Sequence, residues 1–188
     1  MKVECPSRMF LSGAATATLL CVTTLTWAAQ CPAVLRHEVA NILGEKENLC
    51  EYAGKVVLVV NTASYCGFTP QYKGLEALNK RYRSKGLVVL GFPSNNFGNQ
   101  EPGSEKEIAD FCDRTYAVKF PMMGKTEVVR PGGSAFYDDL AKATGQRPSW
   151  NFHKYLISRD GSRITSYGSK VEPDSPAMVT KIEELLGK

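Results

Sequence analysis

Two runs of consecutive apolar residues mark the middle of the chain. Positions 55–61 (KVVLVVN) and 87–92 (LVVLGF) are dominated by valine and leucine. Because polar and apolar residues do not alternate there, the first run predicts a central strand covered on both faces, and the second run predicts another buried strand. Leu75, Leu78 and Tyr82 recur between them at helical spacing. The span therefore predicts a βαβ unit with a right-handed crossover.

Capping residues predict where the helices begin and end. Thr69 followed by Pro70 predicts the start of a helix with Thr69 as the N-cap, and Gly86 is predicted to end that helix. Ser104 and Glu107 have the spacing of a capping box. The helix that they open is predicted to end near 115, and two more helices are predicted over 136–144 and 176–186. Residues 154–158 and 163–167 are predicted to form a hairpin of two strands around Asp160-Gly161.

This order of elements predicts the fold class. A parallel βαβ unit is followed by a helix, an antiparallel hairpin and a closing helix. That order is typical of an α/β fold of the thioredoxin type, with a central mixed sheet and helices on both faces. The pattern shows no internal repeat and no linker, so residues 30–188 are expected to form one domain.

The N-terminus has a different composition. Lys2 and Arg8 precede the 21 residues of 9–29, which carry no charge and end in small residues. This order predicts a secretory signal peptide over 1–29, with an approximate cleavage site, and hence an exported protein. An uncleaved membrane anchor is the alternative, because 21 apolar residues can span a bilayer; the six Ser and Thr residues in the run weaken it.

Composition and charge exclude several classes of function. With 188 residues, 43% hydrophobic and 22% charged, the chain has the composition of an ordinary folded domain. Its net charge of +4 is not concentrated in any block, so no nucleic-acid partner is expected. The chain has only two histidines and no CxxC pair, which argues against a metal site.

Export also changes the cysteine count. Cleavage would remove Cys5 and Cys21 and leave four cysteines, Cys31, Cys50, Cys66 and Cys112. An oxidising compartment permits disulfides. Because Cys31 and Cys50 are close in sequence, a local bridge between them is expected, with two unpaired cysteines as the alternative.

Cys66 has the position of a nucleophile. It follows the first central strand and precedes the predicted helix start at Thr69, and reactive groups in open α/β sheets collect at the carboxyl ends of strands. The partial positive charge of a helix N-terminus stabilises a thiolate. Thr69 stands where a dithiol oxidoreductase would carry its second cysteine, which excludes that class. The alternative for Cys66 is a buried structural cysteine.

Three stretches of the chain together resemble a known family. Residues 61–69 (NTASYCGFT), 92–103 (FPSNNFGNQEPG) and 150–152 (WNF) closely resemble, in order and spacing, the signature stretches of the glutathione peroxidases. The resemblance extends from about Gly54 to the C-terminus. It implies an oxidoreductase for oxidative-stress defence that reduces hydrogen peroxide and organic hydroperoxides with thiol electrons and without a cofactor.

The resemblance also implies the site residues. Cys66 is the peroxidatic residue, which peroxide oxidises to a sulfenic acid. Gln100, Trp150 and Asn151 complete the catalytic tetrad. Their amide and indole N–H groups are neutral donors suited to a thiolate and a developing alkoxide. The neighbouring His153 is expected at the surface or a strand edge, from its alternation with Asn151.

Departures from the family pattern bear on the reductant. The segment between Gly133 and Trp150 lacks the long insertion of the tetrameric members, which implies a monomer. Oxidised Cys66 would then be resolved by a second cysteine and recycled by glutathione or a thioredoxin-like dithiol protein. Cys112 is the candidate resolving residue, with a plain core cysteine as its alternative, and Ser94 stands where relatives carry the other candidate cysteine.

Two further classes remain open at this stage. A cysteine hydrolase would need a histidine within hydrogen-bond reach of Cys66. A peroxide-sensing redox relay without significant turnover would use the same residues as the peroxidase.

Overall fold

The computed structural model describes residues 30–187, so the predicted signal peptide over 1–29 lies outside the described residues. The strands are β1 (Glu38–Ala40), β2 (Lys46–Asn48), β3 (Val56–Thr62), β4 (Leu87–Pro93), β5 (Lys154–Ile157) and β6 (Ile164–Tyr167). The α-helices are α1 (Tyr72–Tyr82), α2 (Glu105–Tyr116), α3 (Ala135–Thr144) and α4 (Pro176–Leu186). Within the described range, no helix has the length and apolar character needed to cross a bilayer.

The main sheet has the strand order β4-β3-β5-β6. Strands β3 and β4 are parallel, whereas β5 runs antiparallel to β3 and β6 antiparallel to β5. Every residue of β3 and β4 is buried, which confirms the burial expected from their apolar runs; β3 is central, whereas β4 is the outermost strand of the main sheet. Because β3 and β4 are parallel, the loops that follow them emerge at the same edge of the sheet.

Helices cover both faces of this sheet. Leu58 and Val60 point to a core shared with α1, α2 and α4, while Val57 and Val59 point to a second core that includes α3. The alternation along β3 explains this division, since successive strand residues face opposite sides. The mixed sheet with helices on both faces confirms the thioredoxin-like α/β fold.

The predicted helix starts are confirmed at one site and wrong at another. Ser104 caps α2 through a capping box: its hydroxyl accepts the Glu107 N–H, and the Glu107 carboxylate accepts the Ser104 N–H at 2.8 Å. Thr69 is not the N-cap of α1. It lies in a 3-10 turn, and its hydroxyl is engaged by the loop before it, so α1 begins only at Tyr72.

A disulfide joins Cys31 to Cys50, with their Cα atoms 5.2 Å apart, as expected from their closeness in sequence. It precedes β3 and therefore lies toward the amino end of the central strands, away from the edge where β3 and β4 end. Cys66 and Cys112 are free and buried.

Candidate active site

Cys66 lies in the loop between β3 and α1, at the edge where the parallel strands end. The residue is 7% exposed and therefore largely buried. The Phe68 N–H donates to Cys66 Sγ at 3.4 Å. The Thr69 hydroxyl accepts the Cys66 N–H at 3.0 Å and donates to the Ala63 carbonyl at 2.8 Å. Thr69 therefore closes the loop around Cys66 and fixes the backbone at Cys66.

Gln100 and Asn151 come from different loops and meet at the same edge. The Asn151 side-chain NH2 donates to the Gln100 side-chain oxygen at 3.0 Å. The Gln100 backbone carbonyl accepts the N–H of Tyr65, the residue before Cys66, at 3.0 Å. This arrangement leaves the Gln100 NH2 group as a donor for a third group. All three signature stretches are thus held together by hydrogen bonds.

Trp150 borders the site from the loop before β5. Its side chain is 39% exposed, and its ring packs at 5.6 Å, centroid to centroid, on Phe97 from the loop after β4. The Trp150 carbonyl accepts a hydrogen bond of 3.2 Å from the side chain of Asn61 in β3. Trp150 is therefore held at two strand ends, its backbone by Asn61 and its ring by Phe97.

The chain turns sharply after Asn151. Phe152 has a φ of +61°, the left-handed region that bulky residues rarely adopt. Its N–H donates to the Asn61 carbonyl at 2.7 Å, and its carbonyl accepts from the Lys154 ammonium at 2.7 Å. Its buried ring meets Tyr72 edge-to-face. Contacts to the N–H, the carbonyl and the ring of Phe152 thus fix the turn that presents Trp150 and Asn151.

The expectation for His153 is wrong, because this residue is buried. Its Nε2 lies 2.8 Å from the Ser166 hydroxyl on β6. Burial, followed by the positive charge of Lys154, lowers the pKa of His153 to about 4, so the ring is neutral at pH 7. The left-handed residue Phe152 interrupts the strand alternation that predicts a surface position for His153.

The family follows from comparison with known proteins. A family model described as glutathione peroxidase matches residues 34–140, more than half of the chain. The chain belongs to the glutathione peroxidase family. This confirms the family resemblance and the enzyme class that it implied, a peroxidase; the matched range contains the first two of the three stretches.

Individual members of the glutathione peroxidase family are similar over most of the domain. The glutathione peroxidase-like peroxiredoxin gpx1 of Schizosaccharomyces pombe is 52% identical over 125 residues, 64% of this chain and 79% of the relative. The hydroperoxy fatty acid reductase gpx1 of Synechocystis is 44% identical over 158 residues, 78% of this chain and 92% of the relative. The crystal structure of Trgpx in its apo form superposes with a TM-score of 0.67 at 37% identity, covering 82% of this chain and 95% of that one.

In this member of the family, Cys112 lies on the inner face of α2. It is 2% exposed and belongs to the same apolar core as Cys66. Burial raises the pKa of its thiol to about 11; the adjacent Tyr72 hydroxyl opposes this effect, and the negative charge of Glu101 adds to it. Cys112 also lines a cavity of about 310 Å³ together with Ala109 and Phe120. In this conformation the Cys112 thiol is therefore shielded from solvent and protonated.

Glu101 is a site neighbour that the sequence does not reveal. It follows Gln100 directly and is fully buried, and its N–H donates to the Asn95 side chain at 2.8 Å. Burial raises the pKa of its carboxyl to about 7, while Ser64 and, more weakly, Lys125 oppose the shift. A glutamate in a polar, turn-rich stretch is expected at the surface, so composition gives no signal for this position.

In the described range, residues 30–187, no three His, Cys, Asp or Glu side chains are grouped as a metal site would require. One edge of the sheet brings together the four residues that the sequence predicts for the site, Cys66, Gln100, Trp150 and Asn151. Cys112 lies in the core beside that edge.

Proposed function

We propose that Cys66 is the peroxidatic residue of this thiol peroxidase. The Cys66 thiolate attacks one peroxide oxygen and the O–O bond breaks. The other oxygen leaves as water or an alcohol after it takes up a proton, and Cys66 becomes a sulfenic acid. The observation that carries this assignment is the hydrogen bond between Asn151 and Gln100, which fixes amide groups at the edge that holds Cys66.

The proposed catalytic groups around Cys66 are neutral hydrogen-bond donors. The Gln100 NH2 group and the Trp150 indole N–H are suited to stabilise the thiolate and the alkoxide that develops as the O–O bond breaks. Asn151 orients Gln100 through their shared hydrogen bond. None of these groups titrates near neutral pH. His153 is buried and bonded to Ser166, which supports a mechanism without a histidine base.

The proposed substrates are hydrogen peroxide and organic hydroperoxides. Residues 30–187 include three exposed large hydrophobic side chains, and two of them, Tyr65 and Trp150, belong to the stretches that form this edge. Exposed rings in the stretches that carry Cys66 and Trp150 give an apolar hydroperoxide a surface to contact. The name of the Synechocystis relative, a hydroperoxy fatty acid reductase, agrees with such a substrate.

The proposed reductant is glutathione or a thioredoxin-like dithiol protein. In the dithiol route, the Cys112 sulfur attacks the Cys66 sulfenic acid, an S–S bond forms and water leaves with the Cys112 proton. The dithiol partner then reduces this disulfide and becomes oxidised itself. The short segment between Gly133 and Trp150 supports a monomer that works without subunit contacts.

We also propose that the protein is exported, with residues 1–29 removed as a signal peptide. The bond between Cys31 and Cys50 supports this, because disulfides persist in oxidising compartments. Expression in a secreting host followed by N-terminal sequencing tests it. The mature chain is expected to begin at residues 29 to 31 in a non-cytoplasmic fraction. An intact Met1 in the soluble cytosol would contradict export.

The test of the enzymatic function is a peroxide assay with glutathione and, separately, with a thioredoxin system. Many turnovers per molecule are expected with at least one reductant, and Cys66→Ser is expected to abolish them. Cys66→Ala serves as a second variant, with melting curves to show that both variants fold. Turnover that survives both substitutions would overturn the assignment. A single stoichiometric oxidation of Cys66 without turnover would identify a redox relay instead.

A further inference from the structure

Lys154 is buried at the first position of β5, directly after the turn that carries Trp150 and Asn151. Its side chain is fully buried, and lysine is among the residues most rarely found there. Its ammonium donates a 2.7 Å hydrogen bond to the carbonyl of Phe152. Leu156, two residues along the strand, packs in the core that contains Cys66, so Lys154 points to the same face of the sheet.

The carbonyl that Lys154 binds belongs to the left-handed residue of the turn. A bulky residue with a φ of +61° persists only where its surroundings determine it more than once. Phe152 has three such constraints: its N–H bond to Asn61, its carbonyl bond to Lys154 and its ring contact with Tyr72. Among these, only the bond from Lys154 is made by a charged side chain, and charge-assisted hydrogen bonds are the stronger kind.

Other polar groups link Lys154 to the loop of Cys66. The carboxylate of Glu172 favours the charged form of Lys154, although burial is the larger effect and lowers the pKa of Lys154 to about 8. The same carboxylate accepts a 3.1 Å hydrogen bond from the side chain of Gln71, which also donates to the Ser169 carbonyl at 2.8 Å. Gln71 lies in the 3-10 turn that begins at Thr69. Glu172 and Gln71 thus lie between the two loops that form the site.

We propose that Lys154 is a positioning residue of the peroxidase: its buried ammonium holds the Phe152 turn and so sets Trp150 and Asn151 against Cys66. The inference rests on the proposed function of these three residues. A buried charge is costly, and apolar residues often replace one without loss of stability. The position of Lys154 is therefore better explained by the geometry of the turn than by the stability of the core.

The test compares Lys154→Met, which removes the donor, with Lys154→Gln, which keeps an N–H donor on a shorter side chain. Lys46→Met is the matched control, because Lys46 is exposed and paired only with Glu38 on β1. All are made in a Trp27→Phe background, which leaves Trp150 as the one tryptophan of the chain. The second-order rate of Cys66 oxidation, the Trp150 emission maximum and its quenching by iodide are measured.

We expect Lys154→Met to slow Cys66 oxidation about 10- to 100-fold, to shift the Trp150 emission and to increase its quenching, while the protein still melts cooperatively. Lys154→Gln is expected to recover part of the rate, and Lys46→Met to match the parent protein. If Lys154→Met does not fold, Lys154→Gln decides by the same measurements. A rate within about twofold of the parent and an unchanged Trp150 emission in the folded variant would overturn the proposal.

The failure of the proposed function is distinguishable from this result. If Cys66→Ser retains peroxide turnover, the assignment of Cys66 is wrong, whereas the emission and quenching of Trp150 still report whether Lys154 holds the turn. If Trp150 is displaced in Lys154→Met while the rate of Cys66 oxidation is unchanged, Lys154 fixes the turn but not the chemistry, and the proposal of a positioning role is wrong.

Discussion

The side-chain NH2 of Asn151 donates a hydrogen bond of 3.0 Å to the side-chain oxygen of Gln100, across 51 residues of sequence. Gln100 follows β4 and Asn151 precedes β5, so this one bond connects loops from both sides of β3. The two amides therefore orient each other, and each should depend on the other in catalysis.

We expect Gln100→Ala and Asn151→Ala each to lower the second-order rate of Cys66 oxidation about 10- to 100-fold. The double variant should be little slower than either single variant, because each substitution already removes the shared hydrogen bond. Stopped-flow measurement of Cys66 oxidation checks this, with Gln146→Ala as an exposed control. If the rate reductions of the two single variants multiply in the double variant, the two amides act independently.

Thr69→Val should disturb the loop of Cys66. Valine keeps the shape of threonine but loses the hydroxyl, which leaves the Cys66 N–H and the Ala63 carbonyl without their partner. We expect a loss of about 2 kcal/mol in the free energy of unfolding and slower oxidation of Cys66. Denaturant unfolding and stopped-flow kinetics measure the two effects. Thr165→Val on β6 is the control, and equal stability of the two variants would contradict the role of Thr69.

The four strands of the main sheet and most helices could be predicted because their signals are local. The apolar runs of β3 and β4 predict burial on both faces, and the capping box of Ser104 and Glu107 lies within one helical turn. Cys66 could be placed at the sheet edge because the topology of a βαβ unit brings parallel strand ends together. These features depend on neighbours in sequence or on a general rule of topology.

The errors arise where a side chain bonds to a distant or irregular part of the backbone. The role of Thr69 depends on the Ala63 carbonyl, a loop contact that propensities do not describe. The burial of His153 depends on the positive φ of Phe152, which interrupts strand alternation. Nothing in the sequence distinguishes the buried Glu101 and Lys154 from charged residues at the surface.

Resolution should join Cys66 to Cys112. After one equivalent of peroxide, we expect a disulfide between them, and Cys112→Ser should stop at the sulfenic acid. Because Cys112 is 2% exposed and its thiol has a pKa of about 11, the reaction requires local opening of α2. Peptide mapping under non-reducing conditions identifies the bond, and hydrogen exchange follows the amides of α2.

In the mapping of resolution, the bond between Cys31 and Cys50 is the internal control, since it should persist before and after peroxide. Normal turnover of Cys112→Ser with a dithiol reductant would contradict this route. It would indicate that the reducing thiol attacks the oxidised Cys66 directly.

Glu101 should make the stability of the protein depend on pH. Its carboxyl has a pKa of about 7 in the folded protein, raised from 4.5 by burial, so between these values the folded chain holds a proton that the unfolded chain has released. The free energy of unfolding should therefore fall as the pH rises from about 4.5 to 7, and the cost of the buried carboxylate should remain at higher pH. Glu101→Gln, which stays neutral, should be more stable than the wild type by about 3 kcal/mol at pH 8 and nearly equal to it at pH 4. Denaturant unfolding between pH 4 and pH 8 measures the difference in stability, and Glu51→Gln at an exposed position is the control. A difference that does not depend on pH would show that Glu101 does not titrate in this range.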